Sequence, residues 1–268
     1  MDNYNPNDNF NNYQNNYSNG YNSDYGTNYG GQDYMNAGFE SGNPVVTRFS
    51  DVRAILAEEV VAKSFLFMVV ALLITAYASL TTSPEIAIRL LTGYNFYFLL
   101  GAELLIVLVS NWAVRMNNAI LAGVLFAVYS YLTGVTFSIL FMVFTTTSIT
   151  TIFLLTAALF GIMAVYGLAT KKDLTSVGSL CFMGLIGIIL AGVVNMFLRN
   201  SMFDTIISAI GVLVFVGLTA YDTQKIKKMV AYSNDGNVLT LALMGAFELY
   251  LDFINLFLKL LRLFGKRR

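Results

Sequence analysis

The amino-acid sequence predicts an all-α integral membrane protein, a seven-transmembrane-helix bundle with its last helix at the centre, preceded by a disordered N-terminal tail. Three observations carry that prediction. Of 268 residues, 56% are hydrophobic, 14% aromatic and only 12% charged, with a mean hydropathy of +0.63, where a soluble domain carries about 25% charge. Seven apolar runs follow one another, each near the ~20 residues that cross ~30 Å of hydrocarbon. The last of them carries a narrow row of polar residues that has to face protein or water.

The tail comes first. Residues 1–44 hold 13 Asn, 7 Tyr and 6 Gly with five acids and no base. Ordering such a segment costs backbone entropy and buries almost nothing in return, so disorder is expected up to Pro44 and the membrane domain from 45 to 268. Its start has neither a basic n-region nor an apolar h-region, so no cleaved signal peptide is expected. From residue 45 on, sixteen bases face eleven acids, a net +5. The stretch RFSDVRAILAEEVVAK then offers Ser50 as N-cap of a short amphipathic helix leading into the first span.

The spans are placed at Val60 to Leu80, Phe96 to Val114, Ala119 to Phe144, Ile149 to Ala169, Leu174 to Leu198, Phe203 to Thr223 and Leu239 to Phe264. The third is long enough to be tilted or to end early at the Thr145 to Thr147 cluster. The chain has no proline after Pro84, and GLIGIILAG in the fifth run allows close helix approach. With a cytoplasmic N-terminus, Arg48, Arg53, Lys63, Arg115, Lys171, Lys172, Lys225, Lys227 and Lys228 fall inside, against Arg89 and Arg199 outside, as the positive-inside rule asks. Lys266, Arg267 and Arg268 break the rule. Either the first six spans overrule them or the seventh run is re-entrant.

Several function classes are excluded by composition. The chain has no histidine, so histidine general bases, Ser-His or Cys-His triads and histidine-liganded metals are absent. The lone Cys181 sits in an apolar run and reads as a buried small hydrophobe. Nucleic-acid binding has no support, since the bases are scattered loop anchors, and KIKK reads as a topology signal in preference to a lipid site.

Polar residues inside the runs are the functional candidates, because a charge at mid-membrane costs ~2.5–3.5 kcal/mol on insertion scales. In the seventh run Glu248, Asp252, Asn255, Lys259 and Arg262 recur at intervals of 4, 3, 4 and 3. That spacing puts them in one stripe ~80° wide, which predicts a central, pore-lining helix. Lys259 and Arg262 are too far along the axis to pair with Asp252, so its partner has to come from another helix. The sixth run ends GLTAYDTQKIKKM and supplies Asp222, near Thr219 and Gln224. Two carboxylates brought together in a poorly hydrated site share a proton or bind a cation. Ca²⁺ suits such a site, since it takes oxygen ligands in flexible geometry, but two carboxylates do not by themselves select it over H⁺ or other cations. Asp222 snorkelling at the interface beside Lys225 is the alternative.

YDTQKIKKM after an apolar run, the KKDLT loop from Lys171 to Thr175, and LYLDFINLFLKLLRLFG resemble the Bax inhibitor family, the transmembrane Bax inhibitor motif proteins, over about residues 50–268. The resemblance implies seven helices with the last at the centre, a pH-sensitive calcium leak and a paired-aspartate sensor, whose positions Asp222 and Asp252 match. It further implies a pair between Glu103 and Arg262, and a basic latch at the inner end of the second helix. There the expected position is Val114 and Arg115 follows one residue later. The expected partners are the lipid bilayer, calcium and protons, with no cofactor required, in the cell membrane. Two other classes stay open: a membrane regulator that binds a protease or a stress or death factor, and an intramembrane aspartyl protease. The latter is disfavoured because Asp252 lies in LYLDF, outside any GxGD element, and no proline-bearing loop follows it.

Overall fold

A computed structural model describes residues 44–232 and 237–268, all-helical apart from turns and one isolated bridge. The expected tail up to residue 43 lies outside the described residues. The helices are α1 Pro44–Thr81, α2 Pro84–Leu91, α3 Tyr94–Arg115, α4 Ala119–Phe137, α5 Leu140–Val143, α6 Thr146–Ala169, α7 Thr175–Leu198, α8 Ser201–Tyr232 and α9 Val238–Phe264.

Local chemistry sets most of the ends. Ser83, Asn118, Thr145 and Asn237 each accept a hydrogen bond from a backbone amide of the following first turn, which satisfies donors that a helix start leaves unpaired. Asn200 does the same for α8, accepting from the amides of Met202 and Phe203 at 2.9 and 3.2 Å. Arg199, at φ 51°, takes the left-handed turn that closes α7. Pro84 sits in the first turn of α2, where its missing N–H costs nothing.

Four expectations are corrected. Ser50 is not a cap: helix α1 runs unbroken from Pro44 through it, since no residue between Pro44 and Ser83 interrupts helix geometry and proline is tolerated at a first turn. The third run breaks at Ser138, leaving the one-turn α5 before Phe144. The sixth run does not stop at Thr223, because helix geometry persists through the basic segment to Tyr232, about 15 Å beyond Asp222. The seventh run is one unbroken helix of 27 residues, about 40 Å long, so it is not re-entrant. Its end docks beside the start of α6: Thr145 N donates to Lys266 O at 3.1 Å, Arg268 N to Val143 O at 3.0 Å, and Lys266 N to Ser148 Oγ at 2.9 Å.

Six helices are long and apolar enough to cross a membrane among the described residues: 52–81 of α1, 119–143 across α4 and α5, all of α6 and α7, 201–230 of α8, and α9. The protein is thus a multi-pass membrane protein. The expected second span coincides with α3, 22 residues with Glu103 inside it, which is not one of those six.

Helix α9 is the centre. Of its most apolar stretch 61% is buried, against 11–39% in the other five, and it packs on α3, α4, α6 and α8. Helix α7 is the opposite case, with Gly178 and Ile188 its buried residues. Of the glycines in GLIGIILAG, Gly184 seats Val214 of α8 closely, whereas Gly187 and Gly192 face open space.

Candidate functional site

Helices α8 and α9 run antiparallel, and their facing residues pair in reversed order. Asp204 meets Arg262, Gly211 lies against Lys259, Asp222 meets Asp252, and Lys225 meets Glu248. The polar stripe of α9 therefore points at a protein seam along α8. Seen from the sequence, that seam was half visible: the α9 side was evident, while the matching side of α8 was hidden by wider spacing.

The centre of the seam is Asp222 and Asp252, whose carboxyls face one another within hydrogen-bonding reach. Asp252 is 5% exposed and its Oδ2 finds no N–H or O–H donor among the described residues; Asp222 is half-buried. Continuation of α8 to Tyr232 places Asp222 well inside the helix, at the depth of Asp252. Around them stand buried Thr219 and Thr223, whose hydroxyls donate to the carbonyls of Phe215 and Thr219 on their own helix at 2.8 and 2.7 Å. Cys181 of α7 is close enough to Asp252 to feel its charge, with its thiol packed on Gly217.

One turn towards the α8–α9 connection, Lys225 Nζ donates to Glu248 Oε1 at 2.6 Å, side chains 37% and 22% exposed. This pair went unanticipated, because Lys225 read as a loop base. The other oxygen of Glu248 is buried without a partner, as is Ser110 Oγ, and both residues line a void of about 30 Å³ between α3, α4 and α9, the size of one water.

A cavity of about 410 Å³ opens from the KKDLT end of the bundle, with Tyr221 and Lys225, the near neighbours of Asp222, in its wall. The Tyr221 ring lies flat on Gly178 of α7, where a Cβ would strike it. The loop itself is clamped to α8. Gln224 Nε2 donates to Lys172 O at 2.9 Å, and Gln224 Oε1 accepts from Leu174 N at 3.0 Å. Lys228 Nζ donates to Asp173 Oδ1 at 2.8 Å. That bond, with two from Thr175, holds the Asp173 carboxyl down to about 2, well below its ordinary 3.8.

The other expected residues scatter. Arg262 Nη1 donates to Asp204 Oδ1 at 2.6 Å, and Glu103 accepts from Thr136 Oγ1 at 2.9 Å. The expected Glu103–Arg262 link is thus replaced: Asp204, in the first turn of α8, reaches Arg262 directly. Arg115 is exposed at the end of α3, and among the described residues no contact joins it to Asp222. Asn255 Nδ2 donates to its own helix at Leu251 O, 2.8 Å, and half-buried Lys259 lays its methylenes on Gly211. These residues lie along the seam between α8 and α9. On the far side of α9 lies a second polar group, in which Tyr250 OH and Thr75 Oγ1 are 2.7 Å apart and Thr75 also donates to Ser130 O at 2.9 Å.

Among the described residues no three carboxylate, thiol or imidazole groups converge as a metal cage. The aspartate pair offers two carboxylates, with Glu248 already engaged by Lys225.

Comparison with known proteins agrees with the fold. A family model described as Inhibitor of apoptosis-promoting Bax1 matches residues 57–268. The inner membrane protein YbhL of Escherichia coli K12 is 44% identical over 213 residues, covering 77% of this chain and 91% of that protein. An uncharacterized protein of Rickettsia prowazekii is 43% identical over 210 residues (77% and 89%), and one of Borreliella burgdorferi 42% over 219 (80% and 94%).

Proposed function

The chain belongs to the Bax inhibitor-1 family, and from that premise and the geometry of the α8–α9 seam we propose that it is a pH-sensitive calcium leak pathway gated by Asp222 and Asp252. The observation that supports the proposal is a carboxyl pair between two antiparallel spans, Asp252 buried and Asp222 half-buried, with no N–H or O–H donor on Asp252 Oδ2 among the described residues. In a poorly hydrated seam, two such groups hold together when a proton sits between them and repel when it leaves, unless a cation replaces it. The bridge is the closed state. Its loss separates α8 from α9.

The charges that face the pair set the pH at which this happens. Glu248 and Lys225 stand one turn away, with Tyr221 and Cys181 beside the pair among the described residues. The 410 Å³ cavity ending at Tyr221 and Lys225 is the water-side approach. In this reading α3 completes seven crossings in the cell membrane with the N-terminus cytoplasmic, and the protein needs no cofactor and catalyses no reaction.

The test is Ca²⁺ flux into proteoliposomes between pH 5 and 8. Wild-type flux rises with pH, and Asp222→Asn with Asp252→Asn abolishes the response. An unchanged profile in that double variant removes the mechanism. A regulator that binds a protease or a stress or death factor is the second reading, favoured by the words of the family description; it is distinguished by a cellular phenotype that survives loss of both aspartates.

A further inference from the structure

The KKDLT loop, the end of α6, residues 53–57 of α1 and residues 224–228 of α8 line a second cavity, of about 480 Å³, that the aspartate seam does not use. Its charged lining is Arg53, Lys171, Lys172, Lys227, Lys228 and Asp173, five cations against one carboxylate. That carboxylate is already bonded to Lys228 and Thr175, so the pocket carries uncompensated positive charge. Gln224 fixes the loop backbone at Lys172 and Leu174, which holds the pocket open before anything binds. The basic segment of α8 is thereby divided: Lys225 turns to Glu248, while Lys227 and Lys228 turn here.

The depth of the site points to the ligand. Three candidate spans end at it, since Arg53 is the second residue of the α1 span, α6 stops at Ala169 and the α8 span stops at Val230. Beside the charged groups the wall has an apolar part, Ala54, Ala57 and Leu168, and two polar side chains, Thr170 and Gln224. A cationic rim over an apolar wall at the membrane–water boundary matches an amphiphile that carries an anionic headgroup. We propose that this pocket binds the phosphate headgroup of an anionic membrane phospholipid, the glycerol and upper acyl chain lying on the alanines. The site is independent of whether the aspartates conduct.

The test uses the full chain in neutral detergent, with native mass spectrometry counting bound lipid during titration with dioleoylphosphatidylglycerol or dioleoylphosphatidylcholine. Wild type binds the anionic lipid at least about tenfold more tightly than the zwitterionic one. Arg53→Gln, Lys171→Gln, Lys172→Gln and Lys227→Gln together erase that preference, while Arg89→Gln with Arg199→Gln, at the other end of the bundle, leaves it intact. If the fourfold variant does not fold, Lys171→Glu alone serves and weakens phosphatidylglycerol binding without changing phosphatidylcholine binding. Equal preference in wild type and pocket variant overturns the proposal. So does inorganic phosphate that displaces the anionic lipid completely at equal concentration, since the pocket would then be a soluble-anion site.

Discussion

Replacing Lys225 by Met leaves Glu248 unpaired one turn from two aspartates that it already crowds. The lost bond is 2.6 Å long between side chains 37% and 22% exposed. Exposed pairs are worth ~0–1 kcal/mol and removal of one partner from a buried pair costs ~3–5 kcal/mol; this half-buried bridge falls between, at ~1–2 kcal/mol of coupling. The assay is a double-mutant cycle on thermal unfolding in detergent, with Lys225→Met, Glu248→Gln and the double variant. The double variant is expected to recover most of what Lys225→Met loses. A coupling below ~0.3 kcal/mol would refute the reasoning that the Lys225–Glu248 contact ties α8 to α9.

Two further outcomes follow from the packing and the loop. A Cβ on Gly167 of α6 collides with the Ala220 carbonyl of α8, whereas one on Gly187 meets nothing within 4 Å; Gly167→Ala is expected to lose ~1–3 kcal/mol and Gly187→Ala to be neutral or gain up to ~1 kcal/mol, read from melting of the detergent-solubilised protein. The Asp173–Lys228 contact lowers the folded-state value of Asp173 from 3.8 to about 2, so its contribution is complete above the higher value and fades as pH falls towards the lower. Hydrogen exchange of the 170–174 loop is therefore expected to stay unchanged from pH 7 to 5 once corrected for intrinsic rates, and Asp173→Asn to leave the acid response of flux in place. Loosening of the loop between pH 7 and 5 would put the acid sensor there.

The aspartate pair was legible because each member sits in an apolar run where charge is costly, and because the 4, 3, 4, 3 spacing on α9 has only one helical interpretation. What hid the rest was hydropathy. Lys225, Lys227 and Lys228 end the apolar signal at Thr223, yet the helix continues to Tyr232, since lysine is a good helix former and Glu248 and Asp173 neutralise two of the three. A span that stops at Thr223 leaves Asp222 at the membrane edge; one that reaches Tyr232 brings it level with Asp252. The partner of Arg262 was missed for a related reason. Asp204 is the second residue of the sixth run, far in sequence from the α9 stripe, and only the antiparallel register of α8 against α9 brings it across. The break at Ser138 had no composition signal, because apolar residues continue on both sides of it.

Proton counting during calcium binding tests the carboxyl bridge most directly. Detergent-purified protein, titrated with Ca²⁺ in weak buffer with a pH indicator, is expected to release about one proton per ion bound, and the Asp222→Asn, Asp252→Asn protein to release none. Calcium binding without proton release in wild type, or the same release in both proteins, would contradict an exchange of proton for metal at this pair.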